Sequence, residues 1–266
     1  GFKEIVKEVN EDVTEDSESI ERGLKASDNH SLYQGTAKFV DEKTLEVNGN
    51  KITSERIVIA AGSRPFIPPI EGLEEVDYLT SKEALKLTEK PDSMVIVGGG
   101  YVSLELAHFF DSMGVDITIL EMSDKMITEI AGDRYDVNLN TSAETVSEKN
   151  GKIEVTAEKG GKSKKYFADK LLVATGRRPN TDILEVEKAG LETDRGGFLV
   201  TDKHMETNKE GIYALGDIAG NWMFKHSANY EAEIVFRNLV SDDEEFEVDF
   251  TAMPHAVFTK PQIAGV

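Results

Sequence analysis

An eleven-residue segment occurs twice in this chain. Residues 55–65 read ERIVIAAGSRP, and residues 169–179 read DKLLVATGRRP. In both copies an acidic and a basic residue precede three aliphatic residues, and alanine, a small residue, glycine, a polar residue, arginine and proline follow in the same order. A repeat indicates that one structural unit is used twice. We expect each copy to form a buried strand that ends at a tight glycine turn.

Alternating sequence with a turn signal precedes each copy. TLEVNGNKI at 44–52 contains an Asn-Gly turn, and KIEVTAEKGGKSKKYF at 152–167 contains a Gly-Gly turn. Such dipeptides between alternating segments are typical of β-hairpins. Each copy is therefore predicted to follow a hairpin, and two such units indicate two related nucleotide-binding domains.

A strand–turn–helix–strand pattern lies upstream of the second copy, in KPDSMVIVGGGYVSLELAHFFDSMGVDITILE at 90–121. Residues 94–97 form a short apolar strand, and 98–100 are three glycines. Residues 102–110 have apolar residues at helical spacing, and 117–120 form a second strand. A glycine turn in this context is the fingerprint of a dinucleotide-binding unit.

The chemistry of a dinucleotide explains these residue types. Gly98 allows the tight turn, Gly100 lets a pyrophosphate approach the backbone, and the N–H groups that begin the helix bind the anion. Glu121 follows Gly98 by 23 residues. A carboxylate there accepts from a ribose 2′-hydroxyl and repels a 2′-phosphate, which favours NAD over NADP. Ser103 stands where the fingerprint has its third glycine, so we expect looser helix packing. The alternative is a Rossmann-like layer that binds no phosphate.

Composition excludes several classes of protein. The 266 residues contain no cysteine, which rules out disulfides, a thiolate nucleophile and cysteine-ligated metals within them, and we predict no metal site. The net charge of −20 disfavours nucleic acid, whose binding depends on clustered Lys and Arg. No apolar run approaches the roughly 20 residues of a membrane span. The charged N-terminus does not resemble a signal peptide. We expect a cytoplasmic protein that binds neither nucleic acid nor membrane.

The repeat also predicts what surrounds this sequence. Gly176 follows Gly98 by 78 residues, and Gly62 is the repeat equivalent of Gly176. The fingerprint that belongs to Gly62 would therefore precede residue 1. Unless the first domain is degenerate, we expect these residues to be the interior of a longer protein.

The segment after Glu121 is short for the pattern. The next apparent strand is VNLNTSAETV at 137–146, and the 13 residues at 123–135 contain Gly132 and little apolar periodicity. A crossover with its helix needs at least about 10–12 residues. We predict either a shortened crossover or a break in the chain near 131–134.

Six motifs, in order along the chain, resemble the class I pyridine nucleotide–disulfide oxidoreductases. Within that family they are most similar to the dihydrolipoamide dehydrogenase, mercuric reductase and mycothione reductase group. The motifs are GTAKF (35–39), AAGSRPFIPPIEG (60–72), GGGYVSLELA (98–107), ATGRRPNTD (174–182), EGIYALGDIAG (210–220) and MPHAVFTKPQIAGV (253–266).

The resemblance implies an α/β protein with Rossmann-like FAD- and NAD(P)-binding domains, each with a central parallel sheet, helices and an antiparallel β-meander. It implies that residues 1–91 form the C-terminal part of a first FAD-domain segment, followed by a linker. Residues 92–204 would form the NAD-binding domain, 205–252 the return to the FAD domain, and 253–266 the start of a dimerisation domain. The family's FAD-domain glycine fingerprint, redox-active cysteine pair and C-terminal His–Glu base have no counterpart here, so no catalytic residue is assigned to this chain.

The resemblance also implies cofactor contacts, motif by motif. For FAD these are Gly35 at the adenylate, Ala61, Gly62 and Ser63 at the flavin nucleotide, Asp217 as acceptor for a ribityl hydroxyl, and Met223, Phe224, Lys225 and His226 beside the isoalloxazine. For NAD they are Gly98, Gly99, Gly100, Tyr101, Val102 and Ser103 at the pyrophosphate, Glu105 toward the nicotinamide, Glu121 at the ribose, Ala143 near the adenine, and Gly176 at a close backbone approach. The family usually has threonine where Ala61 stands.

Several of these residues also have an interpretation without a ligand. Asp217 after a glycine is typical of a turn or helix cap. Glu105 is equally consistent with a solvated helix position, and Tyr101 with packing at the surface. Arg64 and Arg178 precede proline and are expected to pair with local acids.

The function that the resemblance implies is hydride transfer between NAD(H) and FAD. Electrons would pass on to or from a cysteine pair, with a small-molecule, lipoyl or other disulfide substrate and a homodimeric complete protein. Two other functions stay open. One is a cysteine-independent NADH:flavin oxidoreductase, and the other is a non-catalytic NAD-binding module.

Overall fold

The computed structural model describes residues 1–126, 134–241 and 245–266. The strands, numbered in chain order, are β1 Ala37–Asp41, β2 Thr44–Val47, β3 Asn50–Thr53, β4 Ile57–Ile59, β5 Ser63–Pro65, β6 Ser93–Val97, β7 Asp116–Leu120, β8 Asp136–Asn138, β9 Ser142–Lys149, β10 Lys152–Lys159, β11 Lys162–Ala168, β12 Lys170–Val173, β13 Arg177–Pro179, β14 Ile212–Ala214, β15 His255–Val257 and β16 Ile263–Gly265. The helices are α1 Phe2–Ala26, α2 Ser81–Ala84, α3 Tyr101–Ser112, α4 Thr181–Leu184 and α5 Lys225–Val240, and 3₁₀ turns occupy Leu73–Glu75, Val186–Ala189 and Gly216–Ile218.

The chain forms two compact units. Unit 1 comprises Gly1–Ser27, Pro65–Gly176 and Ala256–Ala264, and unit 2 comprises Asp28–Arg64, Arg177–His255 and Gly265–Val266. By this division residues 177–204 group with unit 2. The assignment of domains to cofactors stays a prediction.

A four-stranded parallel sheet, in the order β12-β6-β7-β8, forms the centre of unit 1. Met94 and Ile96 pack on the side of α3, whereas Val95 and Val97 pack on the side of the antiparallel strands. Because both faces of the sheet are covered, strand β6 reads as an uninterrupted apolar run. The predicted strand–turn–helix–strand unit at 94–121 is confirmed.

An antiparallel meander, β9-β10-β11, covers the second face of this sheet. Asn150-Gly151 and Gly160-Gly161 connect its strands, and all four residues have φ between +54° and +79°. Two-residue turns with positive φ match the twist of a hairpin. The predicted hairpin at 152–167 is therefore confirmed.

The single strand predicted at 137–146 is wrong. Strand β8 pairs parallel with β7, and the chain then turns before β9 pairs antiparallel with β10. Asn140 takes φ +53° at this turn, and the Thr141 N–H donates to the Glu121 carbonyl over 2.9 Å. The crossover or break predicted near 131–134 lies outside the described residues except for Arg134, which forms an ion pair with Asp111.

Unit 2, like unit 1, combines parallel strands with an antiparallel sheet, but it has fewer parallel strands. Strands β1-β2-β3 form an antiparallel sheet, and β4 pairs parallel with β14. The predicted Asn-Gly turn at Asn48 and Gly49 connects β2 to β3 with φ of +50° and +80°. Phe39, Ile59 and Ile212 lie in the core of this unit. The α/β fold predicted for both halves is confirmed.

Helix α1 is not among the predicted elements. Its apolar residues Phe2, Val6, Val9 and Val13 follow a helical spacing, and Phe2 packs against the rings of two phenylalanines of α3 at 5.8 and 6.0 Å. Val13 is 63% exposed, so the helix is packed mainly at its N-terminal end. Among the described helices, none is both long enough and apolar enough to cross a bilayer.

Candidate cofactor-binding sites

The glycine loop of unit 1 runs from the end of β6 into α3. Gly98 takes φ +106°, and a Cβ on it would stand 2.4 Å from the backbone oxygen of Ala174, at the end of β12. Its N–H donates to the Leu120 carbonyl over 2.9 Å. Close contact with two neighbouring strand ends, together with positive φ, therefore requires glycine at this position.

Glu121 lies at the end of β7, next to that loop. Its Oε2 accepts from the Gly99 N–H at 2.5 Å, and its Oε1 accepts from the Ser123 N–H at 2.7 Å. A carboxylate has about four lone-pair sites, so it can also accept from a hydroxyl. The two halves of the predicted site, the loop and the acid, are thus brought together by adjacent parallel strands.

The outer side of the loop is uncrowded. Gly100 precedes α3 with φ −81°, and among the described residues no atom lies within 4 Å of the position that a Cβ would occupy on it; the same holds for Gly176 at φ +129°. The N-terminal amides of a helix carry a partial positive charge. An anion such as a diphosphate can therefore approach the backbone here, which fits the predicted role of both glycines.

Ser103 replaces the third fingerprint glycine without being excluded from the core. Its side chain is fully buried, and its hydroxyl donates to the Ala174 carbonyl at 3.4 Å. The larger residue is thus accommodated by a weak hydrogen bond between α3 and the end of β12.

The other predicted NAD residues take up different positions in unit 1. Tyr101 and Val102, the first two residues of α3, pack against the core of unit 1. The Glu105 Oε1 accepts from the Phe258 N–H at 3.0 Å, so this helix position has a specific partner. Ala143 lies on β9, opposite Ala157 of β10. Their contacts with a cofactor stay predictions.

A polar cluster in unit 2 joins two of the residues predicted to contact FAD. The Ser63 hydroxyl donates to Asp217 Oδ2 at 2.5 Å. The Nε of Arg177 donates to the Ser63 hydroxyl at 2.6 Å and to Asp217 Oδ2 at 3.2 Å. Gly62, one residue before Ser63, takes φ +66° with no described atom within 4 Å of a Cβ position. The open space at Gly62 thus leaves room for a ligand beside the charged side chains of Arg177 and Asp217.

Arg177 was not among the predicted site residues. A signal for it was present, because Arg177 occupies the same position in the second copy of the repeat as Ser63 does in the first. The neighbouring arginines behave as predicted. Arg64 and Arg178 bind Asp182 at 2.6 and 2.9 Å, and the hydrogen bond from Arg64 is the main cause that lowers the pKa of Asp182.

Gly35 has a structural explanation of its own. A Cβ there would stand 2.7 Å from the Asn48 amide nitrogen, which donates to the Gln34 carbonyl. The Asn48 side chain from the turn between β2 and β3 thus packs directly on Gly35, whether or not an adenylate lies nearby. Ala61 contributes its carbonyl, which accepts from the Asn180 side chain at 2.8 Å.

The segment predicted to run beside the isoalloxazine leads into α5. Met223 is 46% exposed, and Lys225 and His226 begin the helix at the surface. The Phe224 ring stacks on His226 with centroids 5.5 Å apart, and the His226 Nε2 donates to the Pro254 carbonyl. The backbone entering α5 is therefore held by ring stacking and by a hydrogen bond.

Glu231 is a buried acid that the sequence did not indicate. It is 0% exposed on α5, and its Oε2 accepts from the Gly216 N–H at 2.6 Å, while Asn221 donates to Oε1 at 3.5 Å. No cation pairs with it among the described residues. Burial raises the pKa of the Glu231 carboxyl. The residue ties α5 to the turn that carries Asp217.

A parallel sheet covered on both faces, with a glycine loop and an acid at neighbouring strand ends, defines a Rossmann-type fold of FAD- and NAD-binding proteins. The family model "Pyridine nucleotide-disulphide oxidoreductase" matches residues 2–232. The chain belongs to this family of oxidoreductases, and FAD is the cofactor that membership supports.

Several named proteins are similar to this chain. A mercuric reductase of Staphylococcus aureus is 37% identical over 247 residues, which cover 88% of this chain and 45% of that protein. A mycothione reductase of Mycobacterium tuberculosis is 37% identical over 233 residues, covering 82% and 50%. Dihydrolipoyl dehydrogenase 3 of Haloarcula marismortui is 34% identical over 260 residues, covering 89% and 54%. The chain thus spans about half the length of the curated relatives it matches.

The solved structures agree on the fold. The HOCl-induced flavoprotein disulfide reductase RclA from Escherichia coli has a TM-score of 0.89 and 28% identity to this chain. The match covers 97% of this chain and 62% of that protein chain.

Proposed function

We propose that this chain is the NAD-binding part, with a portion of the FAD-binding part, of a dihydrolipoamide dehydrogenase-like flavoprotein disulfide oxidoreductase. The observation that carries the proposal is the contact between the Gly99 N–H and Glu121 Oε2 at the ends of two adjacent parallel strands. It holds an acceptor for a ribose hydroxyl beside amides that suit a diphosphate.

In this proposal the residues of unit 1 bind and orient NAD. The loop from Gly98 to Ser103 faces the diphosphate and binds it through the backbone N–H groups that begin α3, because the N–H groups of Gly98 and Gly99 already donate to Leu120 and Glu121. Glu121 accepts from the ribose 2′-hydroxyl. The negative charge of Glu121 disfavours the 2′-phosphate of NADP, because the two like charges would lie within hydrogen-bond distance.

The residues of unit 2 are proposed to hold part of FAD. Asp217 accepts from a ribityl hydroxyl, Gly62 and Ser63 lie along the flavin nucleotide, and the backbone from Met223 to His226 follows the ring system. When bound, NAD(H) and FAD supply the hydride exchange between them, while this chain positions both molecules. A disulfide substrate, a homodimeric complete protein and a cytoplasmic location are part of the same proposal.

Replacement of Glu121 tests the NAD site. Glu121→Ala is expected to weaken NADH binding about tenfold or more, because a hydrogen bond to a charged group contributes about 1.5–3 kcal/mol. NADPH affinity should change less or improve, since the repulsion of the 2′-phosphate is removed. Isothermal titration of both nucleotides measures the two dissociation constants.

The matched control is Asp116→Ala. Asp116 is an exposed acid at the opposite end of the same strand, so its removal changes the net charge equally without touching the loop. It should leave both affinities within about twofold of the wild type, the scale expected of exposed charges. Equal losses for NADH and NADPH in Glu121→Ala would count against a ribose contact.

A further inference from the structure

The two copies of the sequence repeat meet at their ends. Ser63 and Arg177 are equivalent positions of the repeat, and they begin strands β5 and β13, which pair with each other. A residue of the second copy is therefore placed directly beside the glycine turn of the first copy.

Arg177 makes three hydrogen bonds at this junction. Its Nε donates to the Ser63 hydroxyl at 2.6 Å and to Asp217 Oδ2 at 3.2 Å, and its Nη2 donates to the Ser63 carbonyl at 2.8 Å. The Arg177 and Asp217 side chains are only 30% and 26% exposed. Because they are partly shielded from water, charge-assisted bonds of this kind restrict orientation more than an exposed ion pair does.

The cluster engages one side of the Asp217 carboxylate. Both Ser63 and Arg177 donate to Oδ2, and within the described residues no side-chain or backbone donor is assigned to Oδ1. Rotation of the carboxylate would break two hydrogen bonds at once. Oδ1 is thereby held as the acceptor for a further donor.

We infer that Arg177 is a positioning residue for the flavin nucleotide: through Ser63 and Asp217 Oδ2, it orients Oδ1 toward a ribityl hydroxyl. This inference rests on the proposed function, in which Asp217 contacts FAD. The planar guanidinium is needed because it donates from Nε and Nη2 to different acceptors at once, which the single ammonium of lysine cannot reproduce in the same geometry. Arg177 itself makes no contact with the cofactor in this account.

The test compares two adjacent arginines in the full-length protein. Arg177→Gln is expected to weaken FAD binding about tenfold or more, and Arg177→Lys to recover only part of that loss. Arg178→Gln is the matched control, since it removes the same charge one residue later from an exposed pair with Asp182. It should leave FAD affinity within about twofold. Flavin fluorescence during equilibrium dialysis gives the dissociation constants.

A double-mutant cycle separates positioning from general structural support. In an Asp217→Asn background, Arg177→Gln should cost much less FAD affinity than it does alone, because the group it orients is already altered. The melting temperature of each apoprotein is measured in parallel. The positioning role would be overturned if Arg177→Gln cost as much FAD affinity in the Asp217→Asn background as it does alone and also lowered the melting temperature of the apoprotein.

Two further outcomes distinguish this inference from the proposed function. If the wild-type full-length protein binds no FAD, the proposed function fails and the inference fails with it. If the wild type binds FAD and Arg177→Gln binds it as tightly as Arg178→Gln does, only the inference is overturned.

Discussion

Gly98→Ala is expected to destabilise the protein by about 3 kcal/mol or more, the largest effect of any single methyl group in the loop. The new Cβ would stand 2.4 Å from the Ala174 carbonyl oxygen, and that neighbour is backbone rather than a mobile side chain. The φ of +106° adds strain for any residue other than glycine. Thermal unfolding followed by circular dichroism measures the loss.

Gly100→Ala is the matched control in the same loop. Its φ of −81° suits alanine, and no described atom lies within 4 Å of the Cβ position. We expect a stability change below about 1 kcal/mol, the scale of an N-cap exchange. NADH affinity should nevertheless fall about tenfold or more, since the methyl group occupies the space proposed for the diphosphate. Equal destabilisation by both substitutions, or wild-type NADH binding by Gly100→Ala, would contradict this account.

Glu231→Ala is expected to cost about 2–4 kcal/mol of folding free energy. It removes the acceptor of the Gly216 N–H in a fully buried position and also leaves a cavity. Glu233→Ala is the control on the same helix, because Glu233 is exposed and its ion pair among the described residues is with Arg237 of the next turn. Its cost should stay within about 0.5 kcal/mol. Similar melting temperatures for the two variants would argue against a structural role for Glu231.

The pH dependence of Glu231→Gln gives a second readout of the same residue. Burial raises the pKa of Glu231, so the folded state binds this proton more tightly than the unfolded state does. Proton binding by Glu231 therefore adds to the free energy of unfolding. This contribution is complete below the unfolded-state pKa near 4.5 and is lost as pH rises through the folded-state pKa. The stability of Glu231→Gln relative to the wild type should therefore increase as the pH rises from about 4 to 7. Melting temperatures of both proteins across that range measure it, and parallel curves would contradict the buried ionisation.

The elements that could be predicted from sequence are those with a local cause. The hairpin turns at Asn48 and Gly160 need residues that tolerate positive φ, and the strand at 94–97 is apolar because both its faces are covered. The loop and Glu121 come together because adjacent parallel strands end at the same edge. In these cases the spacing along the chain determines the geometry.

The errors and omissions have non-local causes. The strand predicted at 137–146 is interrupted where the Thr141 N–H bonds to the carbonyl of Glu121, the residue that follows β7. The roles of Arg177 and Glu231 depend on partners outside their local sequence, Ser63 at a distance of 114 residues and Gly216 at a distance of 15. The repeat marks the position of Arg177, but neither residue type is unusual in its local sequence, and the contacts that distinguish both from solvated charges are seen only in the folded structure.

The parallel pairing of β4 with β14 has a consequence for the order of folding. It joins Ile57 to Ile212, whereas every strand of the parallel sheet of unit 1 lies between residues 93 and 173. Closing a long flexible loop is entropically costly, and a compact intervening segment shortens that loop. During synthesis the sheet of unit 1 can be completed before β14 is made, so β4 pairs with β14 only after that sheet can form. Until β14 is made, β4 lacks this parallel partner, which leaves it open to pairing with a wrong strand.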